Sequence, residues 1–206
     1  MQKFFFIVIF LVLSLAGGPW ALTGGAWARS LAYKDRIYDP GKLKPIDSRV
    51  KVKAGQPAPD FTLPSVDGRL VTLSSFRGVK NVVLSFIPAA WTPVCSDQWP
   101  GYNLAKPLFE SHDTILLGIS TDNKPTLWAW TQQMGELWFP VLSDFWPHGR
   151  VAEKYGILRG DGTAERALIF IDKKGLITHV HVNDINTRPK LELIAAQLER
   201  FSQANR

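Results

Sequence analysis

Three short apolar runs govern what this chain can fold into. Residues 82–86 (Val-Val-Leu-Ser-Phe), 114–120 (Thr-Ile-Leu-Leu-Gly-Ile-Ser) and 167–171 (Ala-Leu-Ile-Phe-Ile) carry few polar side chains and many β-branched ones. Runs this short, without alternation, describe strands covered on both faces. The segments between them carry helix signals. Residues 94–110 read as a helical stretch bent or interrupted by Pro100 and Pro107. Asp122, Asn123 and Pro125 supply the cap and first turn of a helix reaching about Met134. A short strand at 139–142 and a short helix at 149–155 follow. Residues 176–182 return against 167–171 across the turn 172–175, an antiparallel hairpin. The closing stretch 189–201 places Leu191, Ile194, Ala195, Leu198 and Phe201 on one helical face. Ahead of the first run, Phe61 and Leu63 face Leu70, Val71 and Leu73 across Asp67-Gly68, a hairpin with a tight turn. This order predicts an α/β domain with a mixed central sheet, helices on both faces and an N-terminal β-hairpin extension.

The first 28 residues have a different character. Lys3 is their one charge, residues 4–16 hold Ser14 as their one polar side chain, and Gly17-Gly18-Pro19 breaks the run. Ala26-Trp27-Ala28 precedes Arg29 and has the small-x-small form that signal peptidases cut after. Residues 1–28 are therefore expected to be a cleaved signal peptide. The alternative is an uncut anchor, in which residues 4–22 associate with the membrane. Either way the expected location is outside the cytoplasm: periplasmic, or held at the inner membrane. Residues 29–52 are polar and basic, without periodicity, and read as a linker or an extended arm. The domain is expected over 53–201, with a tail at 202–206.

With 46% hydrophobic and 20% charged residues, the 206-residue chain can bury a core and is not disordered by composition. Its formal charge of +6 is scattered rather than gathered into a basic stripe, so no nucleic-acid partner is expected. The single cysteine excludes an intramolecular disulfide and a multi-cysteine zinc site. His179 and His181 alternate onto one face of a strand without a further nearby ligand signature, and no metal or cofactor is expected. Trp128, Trp130, Trp138 and Trp146 suit the core or a subunit contact.

The cysteine sits where chemistry gathers. Pro88-Ala-Ala-Trp-Thr92-Pro-Val-Cys95-Ser-Asp-Gln98 joins the end of the first apolar run to the next helix. Strand-to-helix turns at the carboxyl edge of an α/β sheet are where sites form. A cysteine in a first helical turn faces free N–H groups and the positive end of the helix dipole, and both favour the thiolate.

Pro88-x-x-x-Thr92-x-x-Cys95 resembles the PxxxTxxC signature of peroxiredoxins, the alkyl hydroperoxide reductase and thiol-specific antioxidant family of the thioredoxin-like superfamily. Similar stretches recur at Gly55-Gln-Pro-Ala-Pro-Asp-Phe61, Gly118-Ile-Ser120 with Asp122, Phe139-Pro-Val-Leu-Ser-Asp144 and Arg166-Ala-Leu-Ile-Phe-Ile-Asp172, so the resemblance covers about 52–201. It implies a thioredoxin-like fold and a thiol peroxidase that reduces hydrogen peroxide or organic hydroperoxides. By resemblance, Cys95 is the peroxidatic cysteine that becomes a sulfenic acid. Thr92 hydrogen-bonds the peroxide, Arg166 stabilises the thiolate and the breaking O–O bond, and Pro88 shields the sulfur from water. Two departures matter. Gln98 stands where many relatives have Glu, and no second cysteine is present, Pro100 occupying one position where a resolving thiol is found. This is the pattern of a one-cysteine peroxiredoxin, regenerated by an external thiol or thioredoxin-like reductant. The resemblance also allows a homodimer. Two rival readings are an exported thioredoxin-like thiol oxidoreductase, with Thr92 in place of the first cysteine of its motif, and a non-catalytic thioredoxin-fold binding protein.

Overall fold

A computed structural model describes residues 35–204. The expected signal or anchor at 1–28 lies outside the described residues, as does the first part of the arm. The chain divides after Asp35, and the unit beginning at Arg36 carries everything below.

The hairpin comes first: β1 (Thr62–Pro64) pairs antiparallel with β2 (Leu70–Thr72), and a 3-10 turn, Leu73–Phe76, leads on. The main domain then runs β3 (Asn81–Phe86), α1 (Pro93–Leu104), α2 (Lys106–Glu110), β4 (Thr114–Ser120), α3 (Lys124–Met134), β5 (Val141–Ser143), α4 (Arg150–Tyr155), β6 (Ala167–Ile171), β7 (Ile177–Val182) and α5 (Leu191–Ala204). Five strands form one mixed sheet in the order β5-β4-β3-β6-β7. β3, β4 and β5 are parallel; β6 runs antiparallel to β3, and β7 antiparallel to β6. Every residue of β3 and β6 is buried, as unalternated apolar runs require.

The two faces of the sheet fill differently. Val82, Leu84, Phe86, Leu117, Ile119 and Ile169 share a cluster with the hairpin residues Phe61 and Leu63 and with Val151, Ala152 and Tyr155 around α4. On the other face, Ser85 of β3 lies beside Gly118 of β4. A Cβ on Gly118 would stand 2.8 Å from the Trp99 ring, so glycine is required for α1 to seat its indole there. Trp99 in turn packs on Trp130 of α3 and edge-on to Phe139.

Three boundaries differ from the sequence expectation. Pro100 lies inside α1 without ending it; the break falls at Ala105, and Pro107 starts α2 at its second position. β5 begins at Val141 rather than at 139, because Pro140 has no N–H for the ladder; its carbonyl accepts from Gly118 N–H at 3.0 Å. The last helix continues past Phe201 to Ala204, since Ser202-Gln203-Ala204 holds no breaker.

The arm from Arg36 to Val52 contains neither helix nor strand and is fastened to the domain along its length. Leu43 N–H donates to Asn186 Oδ1 (2.8 Å), and Asn186 Nδ2 donates back to the Leu43 carbonyl (2.9 Å). Ile185 N–H bonds the Pro45 carbonyl (3.1 Å), and Lys51 N–H bonds the Tyr155 carbonyl (3.0 Å). A buried ion pair, Arg159 Nη1 to Glu165 Oε2 at 2.8 Å, holds the middle: Glu165 Oε1 accepts from Asp47 N–H (2.6 Å) and Arg159 Nη2 donates to the Lys44 carbonyl (3.0 Å).

Gly156 closes α4 with φ of 72°, and a Cβ there would strike the Arg49 carbonyl and Lys51 backbone of the arm. A left-handed conformation costs a non-glycine residue about 1–2 kcal/mol before any clash is counted. Gly156→Ala is expected to lower unfolding stability by at least ~1 kcal/mol, measured as a fall in the urea midpoint at unchanged slope. An unchanged midpoint would contradict this account of how the arm lies on α4.

Candidate active site

β3 ends at Phe86, and the chain turns through Ile87-Pro88-Ala89-Ala90-Trp91-Thr92 into α1. This turn is held from below. Asp122, just beyond β4, accepts Ala90 N–H (2.7 Å) and Ser120 Oγ–H (2.6 Å) on the same carboxylate oxygen. Trp91 takes φ of 59°, a left-handed conformation uncommon for a large residue and concentrated at functional turns. Thr92 is the N-cap by position, with extended φ of −110°. Its side chain does not cap the helix, however; the hydroxyl donates to the Ala89 carbonyl at 2.9 Å. The hydroxyl oxygen therefore keeps its acceptor capacity for another partner. Pro93 opens α1, the first helical bond runs from Ser96 N–H to the Thr92 carbonyl (3.0 Å), and Cys95 is the third residue, completely buried. Its sulfur lies in the first turn, at the positive end of a 12-residue helix.

Arg166 reaches this sulfur from the neighbouring strand. β3 and β6 pair antiparallel with Phe86 opposite Ala167, so the residue before β6 stands at the end of the sheet where α1 begins. Extended chain sends successive side chains to opposite sides. Glu165 goes to Arg159 and the arm; Arg166 goes to Cys95. Nη1 and Nη2 of Arg166 each lie 3.5 Å from Cys95 Sγ. Nη1 also donates to Gln98 Oε1 (2.7 Å), while Nε and Nη2 donate to the Ile185 carbonyl (3.1 and 3.0 Å). The guanidinium is 2% exposed, and no carboxylate among the described residues forms an ion pair with it. A buried cation costs several kcal/mol unless a counter-charge and hydrogen bonds offset it. The acidic group nearest the guanidinium is the Cys95 thiol, in contact with both of its terminal nitrogens.

Pro88, Thr92, Cys95 and Arg166 are thus brought together. Pro88, Thr92 and Arg166 line a cavity of about 580 Å3; Cys95 does not line it. Several contributors were given no site role in the sequence reading, although Gln98 was noted there as standing where many relatives have Glu. Gln98 lies one helical turn after Cys95 on the same face, and its Nε2 donates to Ser85 Oγ (3.3 Å), which fixes its oxygen toward Arg166. Helical spacing could have found it. Ile185 acts through its backbone carbonyl and leaves no side-chain signal. Tyr102, a further turn along α1, is buried near Gln98; burial pushes its phenol up, so it remains protonated. His179 and His181 take no part in this constellation. His179 packs on Phe170, His181 bonds Asn183 (3.1 Å), and burial pushes His179 below the ordinary imidazole value. No cluster of three or more metal-ligating side chains occurs among the described residues. Trp130 is core, whereas Trp128 and Trp146 are exposed.

A mixed thioredoxin-like sheet with a thiol at a helix start and an arginine on its sulfur defines a class of cysteine enzyme. The sequence pattern of the AhpC/TSA family matches residues 54–180. Alkyl hydroperoxide reductase E of Mycobacterium tuberculosis is 42% identical over 127 residues, 61% of this chain and 82% of that protein. The chloroplastic 2-cysteine peroxiredoxin of Chattonella marina var. antiqua is 33% identical over 167 residues, 76% of this chain and 85% of that protein. Among solved structures, the reduced 2-Cys peroxiredoxin of Plasmodium vivax superposes with a TM-score of 0.69 at 27% identity, covering 75% of this chain and 84% of that one. The chain belongs to the AhpC/TSA family and is an enzyme of the peroxiredoxin kind, a thiol-dependent peroxidase.

Arg166→Ala removes both donors on the sulfur. Loss of a fixed donor of this kind costs about 10²–10³ in rate. Arg166→Lys keeps a charge but loses the planar fork and is expected to fall between. Stopped-flow rates of thiol oxidation by peroxide check the order wild type, Lys, Ala; an unchanged rate in Arg166→Ala would remove Arg166 from the site.

Proposed function

We propose that Cys95 carries a one-cysteine peroxidase cycle, with Arg166, Thr92 and Pro88 as its partners. The observation that carries this reading is the buried Arg166 guanidinium, whose two terminal nitrogens both lie 3.5 Å from the Cys95 sulfur. In the first half-reaction the thiolate attacks one oxygen of a hydroperoxide ROOH. An S–O bond forms and the O–O bond breaks; RO⁻ leaves and takes a proton, giving ROH and Cys95 sulfenic acid. Negative charge grows on the leaving oxygen, and the Arg166 N–H groups are the fixed donors aimed at it. Arginine stays protonated and does not quench the thiolate by giving up its proton. Thr92, whose hydroxyl proton is engaged by the Ala89 carbonyl, accepts the peroxide O–H and orients it. Pro88 is buried beside this turn and presents no N–H to the sulfur.

In the second half-reaction an external thiol R′SH attacks the sulfenic sulfur, releasing water and leaving a mixed disulfide. A second external thiol then reduces that disulfide, yielding R′SSR′ and the Cys95 thiol. The chain contains one cysteine, so no resolving thiol comes from within it and dithiol exchange has no second sulfur. The segment at 1–28 supports export, so the reductant would be met outside the cytoplasm.

Two measurements test this reading. A sulfenic-acid probe is expected to label the reduced protein after peroxide and not Cys95→Ser; equal labelling of both would defeat it. In the presence of a small thiol, intact-mass analysis is expected to find one mixed disulfide per oxidised chain. N-terminal sequencing of the envelope fraction is expected to read from Arg29, or from Met1 for an uncut anchor; a cytoplasmic protein with Met1 intact would end the export proposal.

A further inference from the structure

The arm supplies six of the seventeen residues that line the cavity beside Cys95, although it lies outside the 54–180 segment that the family pattern matches. Tyr38, Pro40 and Leu43 of the arm face Ala90, Val94 and Ile185 of the domain across it. The exposed lining surface is mostly apolar, with Thr92 and Arg166 as the polar groups it shares with the site and Asp39, Lys42, Asp161, Thr163 and Asn186 also contributing. The arm is held there by defined bonds. Tyr38 N–H donates to the Trp91 carbonyl (2.7 Å), within the reactive turn itself, and the paired bonds between Leu43 and Asn186 fix the other end.

The size of this space does not match the smallest substrate. Hydrogen peroxide is one oxygen larger than a water, whose share of liquid volume is about 30 Å3. A cavity of about 580 Å3 lies in the range that holds drug-sized molecules. Apolar walls with a few polar groups are what a ligand with a hydrocarbon body and a single polar head requires.

We infer that residues 38–43 are a selectivity element: the arm walls the cleft so that an organic hydroperoxide with a bulky apolar body is preferred over hydrogen peroxide, its O–O group at Thr92 and Arg166 and its hydrocarbon against Leu43 and Tyr38. This inference rests on the peroxidase reading above for its rates, but not for its binding measurement. Leu43 and Tyr38 touch the body of the substrate and not its reacting atoms, so they change selectivity through binding of the tail.

The test uses the full chain with cumene hydroperoxide, hydrogen peroxide and the unreactive alcohol 2-phenyl-2-propanol. Leu43→Ala and Tyr38→Ala are each expected to lower the ratio of the cumene hydroperoxide to the hydrogen peroxide rate constant about tenfold, the scale on which small changes in an apolar pocket discriminate. Leu43→Met is expected to keep the ratio. The alcohol is expected to bind the wild type, read by tryptophan fluorescence, and to bind both alanine variants about tenfold more weakly. Tyr38 is 70% exposed, so Tyr38→Ala folds even if Leu43→Ala does not. An unchanged ratio and unchanged alcohol binding in Tyr38→Ala, or no alcohol binding by the wild type, overturns the inference. A wild type that reacts with neither peroxide defeats the peroxidase reading alone; alcohol binding and its loss in the variants still decides the role of the arm.

Discussion

A guanidinium buried without a carboxylate is the constraint on which the site depends. Arg166 distributes its donors over a main-chain carbonyl, a neutral amide and a sulfur. Hydrogen bonds offset part of the desolvation cost, but none of the first two acceptors carries charge. At an effective dielectric of about 20, unit charges about 4 Å apart attract by roughly 4 kcal/mol. Exposed pairs such as Lys44 with Asp47 and Arg69 with Asp67 contribute about 0–1 kcal/mol. The buried cations of the described residues are therefore two, Arg159 paired with Glu165 and Arg166 placed against the Cys95 sulfur. The same sulfur lies in the first turn of α1, at the positive end of the helix.

The fold exists around that contact. Cys95 and Arg166 are far apart in sequence, and the antiparallel pairing of β3 with β6 brings them to one end of the sheet. Nothing in that pairing orients the guanidinium. Orientation comes from the layer behind it: Ser85 receives both Gln98 and Trp99, Gly118 leaves room for the indole, and Gln98 then presents its oxygen to Arg166. From the opposite side, Ile185 sits between the site and the arm, its carbonyl on Arg166 and its N–H on Pro45. The arm and Arg166 are thus joined through one residue.

Much of this was legible in the sequence where a single local signal decides the outcome. The apolar runs placed β3, β4 and β6, Asn123 and Pro125 placed the start of α3, and Asp67-Gly68 placed the hairpin turn. The motif at 88–95 marked the reactive turn. What escaped was decided by partners distant in sequence. Nothing local shows that Ile185 lends a carbonyl to Arg166, or that Arg159 and Glu165 are buried against each other rather than solvated like most charges. The segment at 29–52 reads as a linker or an extended arm, and its anchors on Asn186, Glu165 and Tyr155 leave no sign in a polar segment without periodicity. Pro100 does not interrupt its helix, since a helix packed through Trp99 and Tyr102 tolerates the loss of one hydrogen bond.

Gln98 shows how a neutral residue shapes the field. Its Oε1 is 2.7 Å from Nη1 of Arg166, closer than the sulfur at 3.5 Å. A carboxylate in that position would be a competing anion at shorter range, and the guanidinium would divide its attraction between two negative groups. The amide fills the same space, accepts the same hydrogen bond and holds Ser85 with its other end, but adds no charge. Gln98 therefore adds no anion between Arg166 and Cys95. In a chain with no second cysteine to share the work, geometry is set by Gln98 and Ile185, and charge by Arg166 and the helix start.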